Sequence, residues 1–324
     1  MVKKPKILVV GSLSMDLTVS TLRFPSSGET VLGCGFSAAA GGKGANQAVQ
    51  AARLGASVTM VGKVGQDSFG QKVIESVRNS GVDVSHLLRS SEASTAVANV
   101  LLEVTPDHTA NRIIVVPGTN MCITPEDIAF LKESIAEYDM VALQLEIPME
   151  INRAVIRYAH DKGVPVMLNV APYAPVPPDS LAMVSYISPN EHEATEMAGL
   201  TISDSDDARE ATARLMDKGV DNVIITMGDQ GAAFGCRDEF FISPAVPGVD
   251  VQDPTAAGDS FVAAFCTGIC SGLSRREAME FANYTAALTV SRMGAQPSLP
   301  TIQEVVAFME ERGADTQGLK ALQA

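Results

Sequence analysis

The chain has 324 residues, which at about 150 residues per domain corresponds to about two units, or to one large α/β domain with a small appendage. Hydrophobic residues make up 46% and charged residues 19%, a balance that excludes a disordered or collagen-like chain. With 24 basic and 38 acidic side chains, the net charge is −14. Because such a chain repels nucleic-acid phosphates and anionic lipids, we expect neither a general nucleic-acid binder nor a polybasic membrane protein.

Five scattered cysteines without a CxxC pair indicate no disulfide framework and no zinc or thioredoxin chemistry. The first apolar run stops at Gly11 after four residues, which is too short for the hydrophobic part of a signal peptide. No stretch approaches the roughly 18 apolar residues of a membrane span. These features predict a cytoplasmic protein.

Short apolar runs alternate with segments of helical periodicity along most of the chain. The runs predict buried strands at residues 7–10, 58–61, 140–145, 164–170, 185–188 and 222–227. The periodic segments predict helices at residues 45–54, 70–80, 124–138, 149–162, 206–218, 258–272 and 275–293. This alternation is typical of βαβ units, so the predicted fold class is α/β with a mainly parallel, helix-covered sheet.

Two segments, residues 16–40 and 95–116, depart from this rhythm. They contain β-like pieces without an intervening helix, at 17–21, 30–32, 36–39, 96–104 and 112–116. Their alternation predicts half-exposed strands, and hence a small sheet over one end of the large one. Such a sheet can serve as a lid or as a dimer interface. The large domain then comprises residues 1–15, 41–94 and 117–312, and residues 313–324 are expected to fray.

The first chemically informative stretch is a glycine turn before a predicted helix, at residues 41–47. Gly41, Gly42 and Gly44 would let a ligand approach the backbone, and the helix start offers free N–H groups. The Walker A spacing fails, because Ser37 stands where its first glycine would be and Gly44 follows Lys43. Taken alone, the turn can also be purely structural.

Two further polar stretches follow predicted strands. Asn190 and Glu193 would share a face on the first turn of a helix, where an amide and a carboxylate suit Mg²⁺ bound through phosphate. The same spacing also fits a capping box that closes the helix end. Residues 226–231 again lead from a strand end into a glycine turn. Strand ends of parallel sheets are where ligands bind.

The stretch at residues 253–260 precedes a helix that is apolar nearly all round, and which is therefore buried. The N–H groups of Ala256, Ala257 and Gly258 at its start could hold a developing negative charge. Asp259 could take a proton from a hydroxyl nucleophile as general base. The alternative is that Asp259 only caps the helix.

These motifs occur in the order seen in the ribokinase family of sugar kinases, which the chain resembles over residues 6–310. The shared motifs are Gly11-Ser12 with Asp16, Pro25-x-x-Gly28-Glu29-Thr30, residues 41–47, residues 143–146, Asn190-x-x-Glu193, residues 253–259 and residues 294–298. In combination they are closer to the ribose-phosphorylating members than to the adenosine, fructose or tagatose-phosphate kinases.

The resemblance implies a three-layer α/β/α sandwich with a β-sheet lid, which in the family often pairs with the lid of a second subunit to form a homodimer. It implies ATP-dependent phosphorylation of the 5-hydroxyl of D-ribose, giving D-ribose 5-phosphate and ADP. Asp259 matches the family's catalytic base, and the backbone of Ala256, Ala257 and Gly258 would stabilise the transferred phosphoryl group. The implied sugar-binding residues are Ser14, Asp16, Gly42, Lys43, Asn46, Glu146 and Asp259.

The resemblance also assigns the nucleotide and the cations. The implied ATP-binding residues are Asn190, Thr226, Gly228, Gly231, Gly258 and Asn283. Mg²⁺ would be bound near Asn190 and Glu193 through water and phosphate. A monovalent cation, usually K⁺, would lie beside the helix start at Asp253, Thr255, Thr289, Arg292, Gly294 and Ser298.

Two positions depart from the family pattern. Ser14 stands where many members have Asn, so 2-deoxyribose, another pentose or a nucleoside stays an alternative acceptor. Pro254 replaces the usual Thr, but it keeps its carbonyl, so the cation site should survive. A non-catalytic sugar or nucleotide sensor is the remaining hypothesis, and the intact Asp259, Asn190 and Glu193 argue against it.

Overall fold

The structure is a computed structural model that describes residues 4–105 and 109–323. Parts of three predicted segments, at residues 1–3, 106–108 and 324, lie outside the described residues. The strands are β1 (Lys6–Val10), β2 (Ser14–Thr21), β3 (Gly35–Gly41), β4 (Ser57–Gly65), β5 (Asp83–Ser90), β6 (Ala96–Val104), β7 (Thr109–Val116), β8 (Met140–Gln144), β9 (Val166–Asn169), β10 (Tyr186–Ile187), β11 (Asn222–Thr226), β12 (Ala232–Cys236) and β13 (Phe240–Ser243).

Helices connect most of these strands. They are α1 (Lys43–Arg53), α2 (Ser68–Asn79), α3 (Leu131–Ser134), α4 (Met149–Asp161), α5 (Pro178–Leu181), α6 (Glu191–Ala198), α7 (Ser205–Met216), α8 (Ala257–Cys270), α9 (Arg275–Val290) and α10 (Ile302–Glu310). Within the described ranges, none of the helices has the length and apolar character needed to cross a membrane.

In the part of the chain that the structure describes, nine strands form a large sheet in the order β13-β12-β11-β10-β9-β8-β1-β4-β5. The pairs from β11 to β5 are parallel, which confirms the prediction, and β12 and β13 join antiparallel at one edge. From β1, the strands β4 and β5 are added on one side, and the strands from β8 onward are added on the other side, so the strand order reverses at β1. Ligands bind beyond the carboxyl ends of parallel strands at such a point.

The side chains of β1 alternate between two apolar clusters on opposite faces of this sheet. Ile7 and Val9 belong to the cluster that also contains buried residues of α1, α2, α8, α9 and α10. Leu8 and Val10 belong to the cluster on α4, α6 and α7. Strands that are apolar on both faces are thereby covered by helices on both sides, which confirms the three-layer α/β/α sandwich.

A second sheet, in the order β3-β2-β6-β7, is built from the two segments that lack helices. β2 pairs antiparallel with β3 and parallel with β6. Residues 30–32, predicted as β-like, form no strand. The central strands β2 and β6 are mostly half-buried, as predicted, whereas Phe36 on β3 and Ile114 on β7 are 70% and 64% exposed.

Two predictions near the helices are wrong. Residues 124–138 form turns, the four-residue helix α3 and a 3₁₀ turn rather than one long helix. Lys63 pairs with Asp127 at 2.5 Å and donates to the carbonyl of Cys122 at 2.7 Å, which fixes this irregular path. The chain after Gly313 does not fray, because Leu319 and Leu322 are buried in the α1-side cluster.

Candidate active site

A cavity of about 190 Å³ lies beyond the carboxyl ends of the central strands. Its lining brings together residues that are far apart in sequence: Lys43, Asn169, Ala171, Ser188, Asn190, Glu193, Thr226, Pro254, Ala256, Ala257, Gly258 and Asp259. Glu193 and seven other residues that the resemblance implies line this one cavity. The tertiary structure therefore joins the proposed base, the helix start and the strand ends.

Asp259 lies in the first turn of α8, and it is buried. Asn46 Nδ2 donates to its Oδ2 at 2.9 Å, and Gln47 Nε2 donates to its Oδ1 at 3.1 Å. Burial raises the pKa of Asp259, against the opposing effects of Lys43 and these two amides. A buried carboxylate with a raised pKa is suited to accept a proton. The carboxylate is no mere helix cap, because its partners lie on α1.

The backbone at the start of α8 turns through Ala256, which has φ 62°. Ala256 is the one non-glycine residue with positive φ in the described ranges, and this conformation costs an alanine roughly 1 kcal/mol. The N–H of Ala257 donates to the carbonyl of Pro254 at 3.2 Å. Among the three backbone groups of the sequence prediction, Ala256 and Gly258 are thus the better candidates to bind an anion.

The glycine turn before α1 is required by close backbone contact. Gly42 has φ 93°, and a Cβ on it would lie 2.9 Å from the Cα of Leu13 and from the nitrogen of Ser14. Lys43 begins α1 beside several carboxylates. Burial lowers the pKa of Lys43, but the carboxylates of Asp259 and Glu146 outweigh it and leave that pKa above its usual value. Lys43 is therefore a cation in an otherwise acidic site.

Asp16 projects from β2 in the second sheet toward the same group of charges. Ser14 Oγ donates to Asp16 Oδ1 at 2.8 Å. Burial raises the pKa of Asp16 to about 6, and the carboxylates of Glu146 and Asp259 add to the rise. A Cβ on Gly41 would lie 2.1 Å from Asp16 Oδ2, so only glycine leaves room for this carboxylate.

Glu146 follows the end of β8 and is held by two turns that contain glycine, the turn after β1 and the turn before α1. Its Oε2 accepts a hydrogen bond from Ser12 Oγ at 2.5 Å and another from the backbone N–H of Lys43 at 3.1 Å. Ser12 Oγ also accepts the N–H of Gly44 at 3.2 Å. Glu146 and Asp16 thus offer fixed carboxylate oxygens next to Lys43.

Asn190 and Glu193 form the capping box that was the alternative interpretation of their spacing. The Asn190 N–H donates to Glu193 Oε2 at 2.8 Å, and the Glu193 N–H donates to Asn190 Oδ1 at 2.9 Å. Both residues also line the cavity, and burial raises the pKa of Glu193. Over residues 4–105 and 109–323, no cluster of three or more His, Cys, Asp or Glu side chains could hold a metal ion.

The predicted nucleotide-binding residues do not all line one cavity. Thr226 bridges to Asn190 and lines the cavity of Asp259, and Gly228 and Gly231 form the turn that follows it. Asn283 lines a second cavity of about 270 Å³ between β13 and α9. Asn283 Nδ2 donates to Ser243 Oγ at 2.9 Å and to two backbone carbonyls.

The loops before α8 and after α9 meet at Asp253. Asp253 Oδ1 accepts the N–H of Thr255 at 2.9 Å, and its Oδ2 accepts the N–H of Gly294 at 2.8 Å. The carbonyl of Val290 accepts two N–H groups from residues 252 and 253. This arrangement brings Asp253, Thr255 and Gly294, three of the implied cation-binding residues, into one loop cluster.

The side chains of three other implied cation residues have different contacts. Thr289 Oγ1 donates within its own helix to the carbonyl of Thr285 at 2.9 Å, and Ser298 Oγ donates to the carbonyl of Ala295 at 2.7 Å. Arg292 pairs with Glu304 at 2.8 Å on the surface. Thr289 and Arg292 could therefore contribute backbone carbonyls rather than side chains.

Four polar residues of the site were given no role from the sequence, although three of them lie in the shared motifs. They are Ser12, Gln47, Gln144 and Asn169. Gln144 and Asn169 end the buried strands β8 and β9, and a polar residue at the end of an apolar strand is the signal that could have identified them. Gln47 lies in the quoted glycine motif, but its partners become evident only in three dimensions.

A sequence profile described as pfkB family carbohydrate kinase matches residues 4–302. This chain belongs to that family of kinases, which transfer a phosphoryl group to a hydroxyl group. The family prediction is thereby confirmed.

Three proteins illustrate the similarity within the family. Ribokinase of Bacillus subtilis (strain 168) is 40% identical over 300 residues, covering 92% of this chain and 97% of the relative. Deoxyribokinase of Salmonella typhimurium is 33% identical over 304 residues, covering 94% and 98%. The solved structure of Arabidopsis thaliana ribokinase complexed with ribose and ATP superposes with a TM-score of 0.87 at 32% identity, covering 95% and 99%.

Proposed function

We propose that this protein is an ATP-dependent sugar kinase that phosphorylates the 5-hydroxyl of D-ribose, giving D-ribose 5-phosphate and ADP. The observation that carries the proposal is the position of Asp259. This buried carboxylate lies at the start of α8, in the same cavity as Lys43 and the strand-end residues. The similarity to ribokinases over nearly the whole chain supports the same reaction.

In the proposed reaction, Asp259 accepts the proton of the sugar 5-hydroxyl while the hydroxyl oxygen attacks the γ-phosphate of ATP. The backbone N–H groups of Ala256 and Gly258 and the ammonium group of Lys43 stabilise the negative charge of the transferred phosphoryl group. Phosphoryl transfer needs little covalent chemistry, because positioning and charge stabilisation supply most of the rate enhancement.

The remaining sugar hydroxyls would be held by the carboxylates of Asp16 and Glu146 and by Asn46. Asn46 Nδ2 is engaged by Asp259, whereas Asn46 Oδ1 is a buried acceptor without a hydrogen-bond donor among the described residues. A sugar hydroxyl would supply that donor. Because Asp16 lies on β2, the second sheet would act as the lid over the sugar.

The nucleotide would lie along Asn190, Thr226 and Gly258, with its base toward Asn283. Mg²⁺ fits beside Asn190 and Glu193 only if water and ATP phosphates supply most of its ligands, since the capping box already engages one oxygen of each side chain. When bound, Mg²⁺ would neutralise phosphate charge. K⁺ fits the Asp253 loop cluster, where one carboxylate and several backbone carbonyls would surround a weakly hydrated cation.

The protein would work as a homodimer in the cytoplasm. The second sheet and the loop before β3 expose several large apolar side chains: Leu32 in the loop, and Phe36, Ile113, Ile114 and Val115 in the sheet. An exposed apolar surface of this kind is typical of a protein–protein interface. The cytoplasm supplies ATP, and all five cysteines are free thiols, as a reducing compartment would keep them.

A different acceptor is the second candidate function, and the contact between Ser14 and Asp16 favours considering it. That hydrogen bond engages one oxygen of Asp16, and one of the relatives is a deoxyribokinase. A coupled assay of ADP release with ribose, 2-deoxyribose, other pentoses and nucleosides decides between acceptors. A kcat/KM for another acceptor well above that for ribose would contradict ribose as the substrate.

The Asp259→Asn variant tests the chemistry itself. We expect it to bind ATP and ribose in calorimetry with nearly unchanged affinity, while kcat falls at least about 100-fold through loss of the general base. Turnover close to that of the unmodified protein would show that Asp259 is not the base. Sugar and nucleotide binding by the unmodified protein without any ADP release would instead indicate a sensor.

A further inference from the structure

A chain of buried amide side chains leads from the end of β8 to the oxygen atoms of Asp259. Gln144 Nε2 donates to Gln47 Oε1 at 2.6 Å, and Gln47 Nε2 donates to Asp259 Oδ1 at 3.1 Å. Gln47 Nε2 also donates to Asn169 Oδ1 at 3.2 Å. Gln144 and Gln47 are 0% and 1% exposed, and neither lines the cavity. We call Gln144, Gln47 and Asn169 the amide chain.

The orientation of each amide group in this chain is determined by its neighbours. Asn169 Nδ2 donates to the backbone carbonyl of Ser188 at 2.7 Å, so Asn169 Oδ1 must face Gln47. An ionised Asp259 can only accept hydrogen bonds. Gln47 therefore faces two acceptors with its Nε2, and its Oε1 needs a donor on the opposite side. Gln144 Nε2 is that donor.

The backbone provides space and support for Gln144. A Cβ on Gly11 would lie 2.0 Å from Gln144 Oε1, so the glycine at the end of β1 leaves room for this side chain. The carbonyl of Gln144 accepts a hydrogen bond from Asn152 Nδ2 on α4 at 2.9 Å. Gln144 Oε1 itself has no hydrogen-bond donor in the described residues, a cost that stability alone does not explain.

We propose that Gln47 and Gln144 are positioning residues for the reaction, which hold the Asp259 carboxylate in the orientation needed to accept the sugar proton. The proposal rests on the proposed role of Asp259 as base. Gln47 acts directly on the carboxylate, and Gln144 acts only through Gln47, by preventing rotation of its amide group. Neither residue contacts the cavity, so neither binds sugar or ATP.

The charged groups around Asp259 do not replace this function. Charge–charge interactions couple Asp259 to four ionisable groups: Lys43, Glu146, Asp16 and Glu193. Only Asn46 and Gln47 donate hydrogen bonds to its carboxylate oxygens within the described residues. Because Asn46 is also an expected sugar ligand, Gln47 is the partner dedicated to the base.

The test compares kcat and KM from pH 5 to pH 9 for Gln47→Met, Gln144→Met and the double variant. Gln47→Met removes a donor that favours the carboxylate form of Asp259, and Gln144→Met leaves the Gln47 amide group free to rotate away from Asp259. In each variant the acid limb of kcat should therefore move up by about one pH unit. At a given pH on the acid limb, kcat of each variant should lie roughly tenfold below that of the unmodified protein, and the difference should disappear as the pH rises. KM for ATP should stay within about twofold, because no ATP contact is lost.

The double variant and two further variants separate positioning from mere folding. If Gln144 acts only through Gln47, the double variant should be no slower than Gln47→Met. Gln50→Met is the matched control, since Gln50 is buried on the same helix and donates to the carbonyl of Pro300 at 2.9 Å, away from Asp259. It should lose thermal stability without moving the acid limb. The isosteric Gln47→Glu should lower kcat further, because it places an acceptor against Asp259.

Additive effects of the two Met substitutions, or an acid limb that matches Gln50→Met, would overturn the proposal. So would unchanged kcat in Gln47→Glu. These outcomes are distinct from failure of the proposed function. If Asp259→Asn is inactive while the Gln47 and Gln144 variants behave normally, only the positioning role is wrong. If Asp259→Asn remains active, the role of the base is wrong.

Discussion

Ser12 Oγ donates a hydrogen bond of 2.5 Å to Glu146 Oε2, across 134 residues of sequence. Ser12 is buried just after β1, and Glu146 follows β8, the neighbouring strand of the sheet. The same oxygen of Glu146 also accepts the Lys43 N–H. The turn after β1, the turn before α1 and the end of β8 thus define the position of the Glu146 carboxylate, which we expect to bind the sugar.

Ser12→Ala should therefore weaken sugar binding more than catalysis. Loss of one hydrogen bond to a charged group corresponds to roughly a tenfold rise in KM for ribose, with kcat changed by less than about threefold. KM for ATP should not change. Steady-state kinetics with each substrate varied in turn is the measurement. Thr285→Ala, which removes a buried hydroxyl inside α9, is the control. An equal rise in KM for both substrates would contradict a role in sugar binding.

Asp16 should make sugar binding sensitive to pH. Its pKa is raised to about 6 by burial, so it loses its charge as the pH falls through 6. A neutral carboxyl group is a poorer acceptor for sugar hydroxyls, so KM for ribose should rise below pH 6. Kinetics between pH 5 and pH 8 checks this. A KM for ribose that stays constant over that range would disprove it.

The same raised pKa has the opposite consequence for folding. Between the ordinary pKa of 3.8 and about 6, the folded state binds more protons than the unfolded state, so Asp16 costs stability as the pH rises. Asp16→Asn should therefore raise the melting temperature at pH 7 while lowering kcat/KM for ribose about 100-fold. The gain in melting temperature should shrink as the pH approaches 4. A variant less stable than the unmodified protein at pH 7 would contradict this sign.

Asp253 should control activation by monovalent cations. The unmodified protein is expected to be faster in KCl than in tetramethylammonium chloride at equal ionic strength. Asp253→Asn keeps the size of the side chain but removes its charge, so half-activation should need at least about tenfold more K⁺, equivalent to roughly 1.4 kcal/mol. Asp250→Asn, an exposed neighbour, serves as the control. Activity that does not respond to K⁺ would exclude the proposed cation site.

The second sheet should mediate dimerisation. Phe36 lies on β3 and Ile114 on β7, and both side chains are more than half exposed. Phe36→Lys combined with Ile114→Lys should convert a dimer into a monomer of 34.0 kDa, measured by light scattering coupled to size-exclusion chromatography. Val251→Lys changes an exposed apolar side chain elsewhere and should leave the mass unchanged. A monomeric unmodified protein at micromolar concentration would contradict the prediction.

The sequence by itself was sufficient for the features that depend on local physics. Strands such as β1 and β8 are apolar on both faces, which only a helix-covered parallel sheet can bury, and their runs are therefore visible in the sequence. The glycine turn at Gly42 and the start of α8 were likewise recognisable. Edge strands such as β5 were not predicted, because a half-exposed strand with polar residues lacks a continuous apolar run.

The tertiary structure alone decided how the charges of the site act on one another. The chain is net acidic, yet the fold surrounds Lys43 with carboxylates that keep it charged, and burial raises the pKa values of Asp16 and Asp259. The partners of Asp259 come from α1, more than 200 residues earlier in the chain. Hydrogen bonds and desolvation depend on distances between atoms that sequence separation does not encode, so only the folded chain reveals them.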